Sequence, residues 1–258
     1  MGILNLTPDS FFDGGKYAND LDILQSVEKM LHDGATIIDI GAVSSKPNAH
    51  EISEAEEYHR LIPTLKSIVK HFPDTIISID TFRSEIAKQA IENGASIIND
   101  IYAATYDEQI LRVCAEHNIP IILMHMQGNP KTMQLQPTYD DVSIDVMRFF
   151  IERLEFCRQQ NVHDIISDVG FGFGKTLEHN YTLLKNLASF KLLGKLILAG
   201  ISRKSMIYKL LDSSPEFALN GTSILNMIAL QNGANILRVH DVKEAMECIK
   251  IYNYYTSI

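Results

Sequence analysis

The sequence predicts an α/β protein in which eight βα units close into a (β/α)8, or TIM, barrel. Three observations carry that reading. Eight short apolar runs recur along the 258 residues. Amphipathic stretches of helical period separate them. Three of the runs are entered through the same Asp/Asn-Gly-Ala junction. The length suits one such barrel. No low-complexity segment or Pro/Gly/Ser linker divides the chain, so a single domain is expected over residues 1–258.

In chain order the runs are Gly2–Asn5, 36–41, 75–80, 96–100, 120–125, 165–170, 196–202 and 235–240. Unbroken, β-branched apolar runs suit parallel strands covered on both faces. The segments between them have helical spacing. In 20–31, for example, Leu21, Leu24, Val27, Met30 and Leu31 share one face. The junctions Asp33-Gly34-Ala35, Asn93-Gly94-Ala95 and Asn232-Gly233-Ala234 each end a helix, because glycine tolerates the left-handed backbone of a C′ position. The first strand occupies the first residues, so little of the chain is expected beneath the lower mouth of the barrel.

Composition narrows the function. A formal net charge of −9 argues against nucleic acid as a partner, since phosphate neutralisation needs clustered cations. It leaves room for a local basic pocket. No apolar run reaches transmembrane length, and no charged segment followed by an apolar one opens the chain. A cytoplasmic protein without membrane contact is expected. The cysteines Cys114, Cys157 and Cys248 are far apart and odd in number, which suits buried hydrophobes rather than disulfides or metal ligands. No His pair or Cys cluster suggests zinc.

Chemistry concentrates where the runs end. Asn5, Asp39, Asp80, Asn99 with Asp100, His125, Asp168, Ser202-Arg203-Lys204, and Arg238 with His240 all fall there. In a barrel these ends converge on the C-terminal face, where active sites form. One Asp at a strand end commonly caps the next helix, and Asp39 and Asp100 suit that structural role. Polar ends on eight different strands are not explained by capping alone. Asp80, Asn99 and Asp168 offer acceptors to a heterocycle bearing amino and ring N–H donors. Arg203, Lys204, Arg238 and His240 suit an anion near the last two strands, the usual phosphate corner of barrels.

The stretch Asp168-Val169-Gly170-Phe171-Gly172-Phe173-Gly174-Lys175-Thr176 ends like a phosphate-binding loop, but that motif needs its first glycine where Val169 stands. The glycines are read instead as letting backbone approach a flat ligand. Phe171 and Phe173 are either buried wedges or faces for an aromatic substrate.

Taken together, these motifs resemble the dihydropteroate synthase family. The opening Gly2-Ile3-Leu4-Asn5-Leu6-Thr7-Pro8-Asp9-Ser10-Phe11 with Asp13-Gly14-Gly15 is similar to the family's first signature. Ser78-Ile79-Asp80-Thr81, Ile98-Asn99-Asp100, Met124-His125-Met126-Gln127-Gly128, the Asp168–Lys175 stretch, Ser202-Arg203-Lys204-Ser205 and Arg238-Val239-His240-Asp241 follow in family order and cover essentially the whole chain.

The resemblance implies a barrel transferase that condenses a dihydropterin pyrophosphate with p-aminobenzoate, with Mg²⁺ as cofactor and a homodimer as its assembly. It implies that Asp80, Asn99, Asp168 and Lys204 hold the pterin, with Met124 packed on it. Asn5, Lys46, Arg238 and His240 would meet pyrophosphate, and Asn5 also Mg²⁺. Phe11, Ser45, Pro47, Phe173 and Ser205 would surround p-aminobenzoate. Asn5, Lys204, Arg238 and His240 form the implied catalytic set. The second loop, Ala42-Val43-Ser44-Ser45-Lys46-Pro47-Asn48, departs from the family's Gly-Glu-Ser-Thr-Arg-Pro-Gly. Lys46 replaces a planar fork with a point charge. This loop and the one at 5–15 lack core anchors at their tips and are expected to be mobile without ligand. Two rival readings are a pterin-binding methyltransferase barrel, which lacks the Arg238/His240 anion pair, and a catalytically inactive pterin-binding protein.

Overall fold

The computed structural model describes residues 1–6, 20–44, 52–128 and 137–258. Strands and helices alternate: β1 (Gly2–Asn5), α1 (Asp20–His32), β2 (Ile37–Gly41), α2 (Glu54–His71), β3 (Ile76–Asp80), α3 (Ser84–Glu92), β4 (Ile97–Asp100), α4 (Gln109–His117), β5 (Ile121–Met124) and α5 (Val142–Gln159). The second half continues with β6 (Ile165–Asp168), α6 (Leu177–Lys185), a 3-10 turn at Leu187–Leu193, β7 (Leu196–Ala199), α7 (Ser205–Tyr208), a 3-10 turn at Pro215–Phe217, α8 (Leu219–Gln231), β8 (Ile236–Leu237) and α9 (Val242–Ser257). All eight expected strands form. They pair in parallel in sequence order. A parallel bridge between Gly2 and Val239 closes the circle, with Ile3 N–H donating to Val239 O at 3.0 Å.

Local chemistry sets the boundaries. Gly34, Gly94 and Gly233 have φ of +104°, +102° and +96°, as the repeated junction requires. α1 carries Asp20 and Asp22 in its first turn and Lys29 and His32 in its last, matching the helix dipole. α6 opens on a reciprocal cap, in which His179 N–H donates to Thr176 Oγ1 and Thr176 N–H to His179 Nδ1.

Because side chains alternate along a strand, each strand sends one set outward and one inward. The outward set packs on the helices and makes the main core, with Ile38, Ile40, Ile77, Ile79 and Leu123 fully buried. The inward set is layered. Ile97, Ile122, Ile166 and Leu198, joined by Met1, Ile37 and Ile236, fill the lower barrel. Two residues further up each strand the lining changes to Asp39, Ser78, Asn99 and Arg238, and then to Asp80, Met124 and Asp168. The sequence period thus places an apolar plug below and a polar floor above it. Among the described residues no helix is long and apolar enough to cross a membrane.

Candidate functional site

Asp39 is the centre of the polar floor. It is fully buried and accepts hydrogen bonds from Ser78 Oγ at 2.6 Å, from Asn99 Nδ2 at 3.2 Å and from Arg238 at 2.6 Å. A carboxylate only accepts, so it turns the Asn99 amide until Nδ2 faces Asp39. The Asn99 oxygen is left as an acceptor for a ligand. Arg238 reaches on from Asp39 and donates from Nη2 to Asp80 Oδ2 at 2.9 Å. Burial pushes the Asp80 carboxyl up to about 7, with Arg238 opposing and Asp39 reinforcing. Its side chain keeps 18% of its surface open and its pair with Arg238 is direct, so we read that pair as ionised.

Opposite, Asp168 accepts from Gly170 N–H at 2.8 Å. Burial pushes Asp168 up, and Lys204 opposes that shift. Lys204 donates to Phe171 O at 2.6 Å, and its ammonium lies 4.6 Å from the centre of the Phe173 ring. Burial lowers Lys204 to about 8, with Asp168 holding it up. The two phenylalanines of the Gly-rich stretch divide. Phe171 is a fully buried core residue, whereas Phe173 is half-buried in an upper cluster with Met124, Phe82 and Ile101.

The glycines of that stretch correct the sequence reading. Gly170 (φ +70°) and Gly174 (φ +59°) do permit a close approach, but of chain to chain. A Cβ at Gly170 would lie 1.9 Å from His125 O, and one at Gly174 2.5 Å from Gln127 O. Lys175 is buried beneath, with Nζ 2.9 Å from His125 Nδ1 and donating to the carbonyls of His125, Gly170 and Phe173 at 3.2, 3.0 and 2.9 Å. Burial pulls Lys175 down to about 7, while Asp168 opposes that shift. Every neighbour of its Nζ accepts, which also favours the ammonium. Burial, and then the Lys175 charge, lower His125 to about 2, so its ring is neutral.

The anion corner is smaller than the sequence suggests. Arg203, expected to face an anion, does not. It sits in left-handed backbone (φ +55°) and forks onto both Asp241 oxygens at 2.8 Å, and its Nη1 serves the Pro215 and Glu216 carbonyls. Its donors are spent on holding the loop after β7 to the loop after β8. Arg238 is not a separate clamp either, since it lies against Asp39 and Asp80. His240 lies at the exposed rim, its Nδ1 3.2 Å from Ser202 Oγ. Desolvation and the charge of Arg238 lower its imidazole to about 4. Since the ring is open to solvent, the charge is the cause we stand behind. Ser205 opens α7 beside Lys204. Asn5 ends β1 opposite Gly41 and makes no side-chain hydrogen bond among the described residues.

The structure therefore brings Asn5, Asp80, Asn99, Met124, Asp168, Phe173, Lys204, Ser205, Arg238 and His240 to one mouth. Phe11, Ser45, Lys46 and Pro47, and most of the two loops expected to be mobile, lie outside the described residues. Asp100 plays the structural part expected of it, accepting from Tyr102 and Ala104 N–H at 2.8 and 2.6 Å. Asp39 caps nothing. It organises the floor, a role that its inward parity with Ser78, Asn99 and Arg238 foreshadows. The clasp of Lys175 on His125 had no signal in spacing. Nor did the buried ion pair of Glu57 with Arg83, in which Thr81 Oγ1 also donates to Glu57 and Arg83 Nη2 reaches Ile52 O at 2.8 Å.

A family model described as "Pterin binding enzyme" matches residues 1–240. The dihydropteroate synthase of Escherichia coli (strain K12) is 46% identical over 253 residues, covering 97% of this chain and 89% of the relative. The solved Yersinia pestis dihydropteroate synthase with a sulfonamide drug superimposes with a TM-score of 0.94 at 42% identity, over 100% of this chain and 94% of that one. The Xanthomonas albilineans enzyme with 4-aminobenzoic acid gives a TM-score of 0.93 at 34% identity, over 100% and 92%.

The neutral, buried His125 predicts an acid-sensitive fold. Unfolded, a histidine titrates near 6.5, whereas His125 does so at about 2. Between these values the unfolded chain binds the extra proton, so stability is present above the unfolded pKa and is lost as pH falls below it. In urea titrations the parent should lose about 1 kcal/mol more than His125→Gln between about pH 7 and about pH 5.5. Equal losses in both proteins would show that His125 is not buried neutral.

Proposed function

Because the chain belongs to the dihydropteroate synthase family of pterin-binding enzymes, we propose that its strand-end residues divide the work of that family's reaction. The reaction is a transferase step of folate biosynthesis. The C–O bond between the pterin methylene and pyrophosphate breaks, a C–N bond forms to the amine of p-aminobenzoate, and the new ammonium releases its proton. One observation carries the division of labour: Asp80, the Asn99 oxygen and Asp168 line one mouth with Met124, which pairs with Asp168 in register, while Lys204 interacts with the Asp168 charge and the Phe173 ring. Three acceptors suit the amino and ring N–H groups of a pterin, and Lys204 suits its carbonyl oxygen or ring nitrogen. A pterin there adds its own donors to Asp80, which Arg238 already neutralises. Nη1 of Arg238 has no partner among the described residues and is free for an oxyanion.

An electron-rich pterin supports a cationic methylene, so we favour a dissociative, SN1-like path. The chain's part is then to hold the ring, to receive charge on the departing group and to align the amine. Arg238, His240 and Lys46 face that charge in this reading. An arylamine attacks without prior deprotonation, and no general base is assigned. Phe173 and Ser205, with Phe11, Ser45 and Pro47, are read as the p-aminobenzoate side.

Among the described residues no cluster of three His, Cys, Asp or Glu could hold a metal ion. The free amide oxygen of Asn5 nevertheless fits Mg²⁺, which keeps several waters and takes phosphate oxygens from a substrate. When bound, Mg²⁺ would neutralise charge on pyrophosphate. We further propose one domain over residues 1–258, a cytoplasmic location, and a homodimer. The dimer is supported by α7, α8 and the turn between them, which touch one another and leave Leu210, Leu211, Phe217 and Ile224 more than half exposed.

Incubation with the dihydropterin pyrophosphate, p-aminobenzoate and Mg²⁺ should release pyrophosphate only when all are present. A corrinoid-dependent methyltransferase or an inactive binder would release none. Asp80→Asn and Asp168→Asn should each weaken pterin binding by about 2–4 kcal/mol in calorimetry. Phe173→Ala should raise the KM for p-aminobenzoate about tenfold and leave pterin affinity nearly unchanged. Unaltered pterin affinity in both Asn variants would remove those carboxylates from the site. Chelating Mg²⁺ should weaken pyrophosphate binding in the parent more than in Asn5→Ala, and Lys46→Ala should weaken it further; indifference to chelation would end the magnesium reading. Light scattering should give twice the chain mass for the parent and a smaller species for Leu210→Glu with Phe217→Asp, whereas a monomeric parent would refute the dimer.

A further inference from the structure

Lys175 is buried below the site surface, yet its ammonium has more hydrogen-bond acceptors around it than that of Lys204 or the guanidinium of Arg238. Its Nζ lies within 3.2 Å of four acceptors, and they come from two loops. His125 supplies its ring nitrogen and carbonyl from the loop after β5. Gly170 and Phe173 supply carbonyls from the loop after β6. The backbones of these loops already meet where Gly170 and Gly174 lack side chains. Tyr139 OH adds a bond to Gly174 O at 2.7 Å.

What the second loop carries gives this contact its meaning. The pterin acceptors Asp80, Asn99 and Asp168 stand on strands and need no help from it. Phe173 stands on the loop alone, and the Phe171 carbonyl that receives Lys204 belongs to it too. We infer that Lys175 is a positioning residue for the p-aminobenzoate half of the site, clasping the loops after β5 and β6 into one wall that fixes Phe173 and the Phe171 carbonyl. This rests on the assignment of Phe173 to p-aminobenzoate made above.

The test uses two readouts, one of which needs no substrate. The chain contains no tryptophan, so Phe173→Trp gives a single reporter on the loop. Adding Lys175→Met, which keeps the side chain's length and removes its donors, should raise acrylamide quenching of that reporter about twofold or more, because a loop freed from its ties opens more often. In the otherwise unaltered enzyme, Lys175→Met should raise the KM for p-aminobenzoate about tenfold, with pterin affinity within about threefold, since misplacing a substrate-orienting group acts on that substrate. A role in general stability alone would lower the active fraction and leave that KM unmoved. If Lys175→Met does not fold, Tyr139→Phe removes one tie from the same wall and should move both readouts in the same direction by a smaller factor. Unchanged quenching would overturn the clasp, whatever the kinetics. Raised quenching with an unchanged KM would leave the clasp standing and overturn the assignment of Phe173.

Discussion

The site depends on one buried ion pair. Asp39 has no contact with solvent, and removing such a carboxylate from water is costly unless its partners are close and numerous. Arg238, Asn99 and Ser78 meet that condition, and each comes from a different strand. The pairing therefore does two jobs. It joins β8 to β2 across the line where the barrel closes, and β8 is only two residues long. It also fixes which face of the Asn99 amide, and which edge of the Arg238 guanidinium, remain for a ligand. Loss of Asp39 would leave Arg238 facing Asp80 alone and let the Asn99 amide turn over.

Placement of charge in the mouth follows from that centre. Asp39 and Asp80 share Arg238, whereas Asp168 faces Lys204. Of these three carboxylates, Asp80 and Asp168 are thus held near cations without being sealed by them. Such pairings keep acceptors ionised in a place that burial would otherwise neutralise. They also suit a ligand with hydrogen-bond donors at one end and negative charge at the other. In the proposed reading a ring edge would meet the oxygens of Asp80 and Asp168, and a phosphate arm the nitrogens of Arg238 and His240, just past β8.

Much of this was legible in the sequence, for definite reasons. Strand identity and order follow from the spacing of apolar runs, and the helix ends at Gly34, Gly94 and Gly233 follow from the conformation that only glycine adopts cheaply. The convergence of Asp80, Asn99, Asp168 and Arg238 follows from strand parity in a closed barrel. What could not be read is how side chains choose among partners. Arg203 and Lys204 are adjacent and both basic, yet the left-handed backbone at 203 sends one outward to Asp241 and leaves the other over Phe173. The glycine spacing rules out a phosphate-binding loop around Lys175, but it does not reveal that the neighbouring carbonyls fold back around that lysine. Asp39 looked like a cap because its three partners are distant in sequence.

The capture of Arg203 by Asp241 has a mechanical consequence. It makes the loops after β7 and β8 a single panel, just as the Gly170 and Gly174 contacts make a single panel of the loops after β5 and β6. In their described residues these four loops are thus tied into two plates rather than standing as four independent fingers. Lys204 is rooted in one plate and leans on the Phe171 carbonyl of the other, with the Tyr181 hydroxyl bridging behind it to Met206 O at 3.1 Å. Any spreading of the plates stretches that lysine first. The side chain read as a pterin ligand is therefore also the one that senses the width of the gap between them.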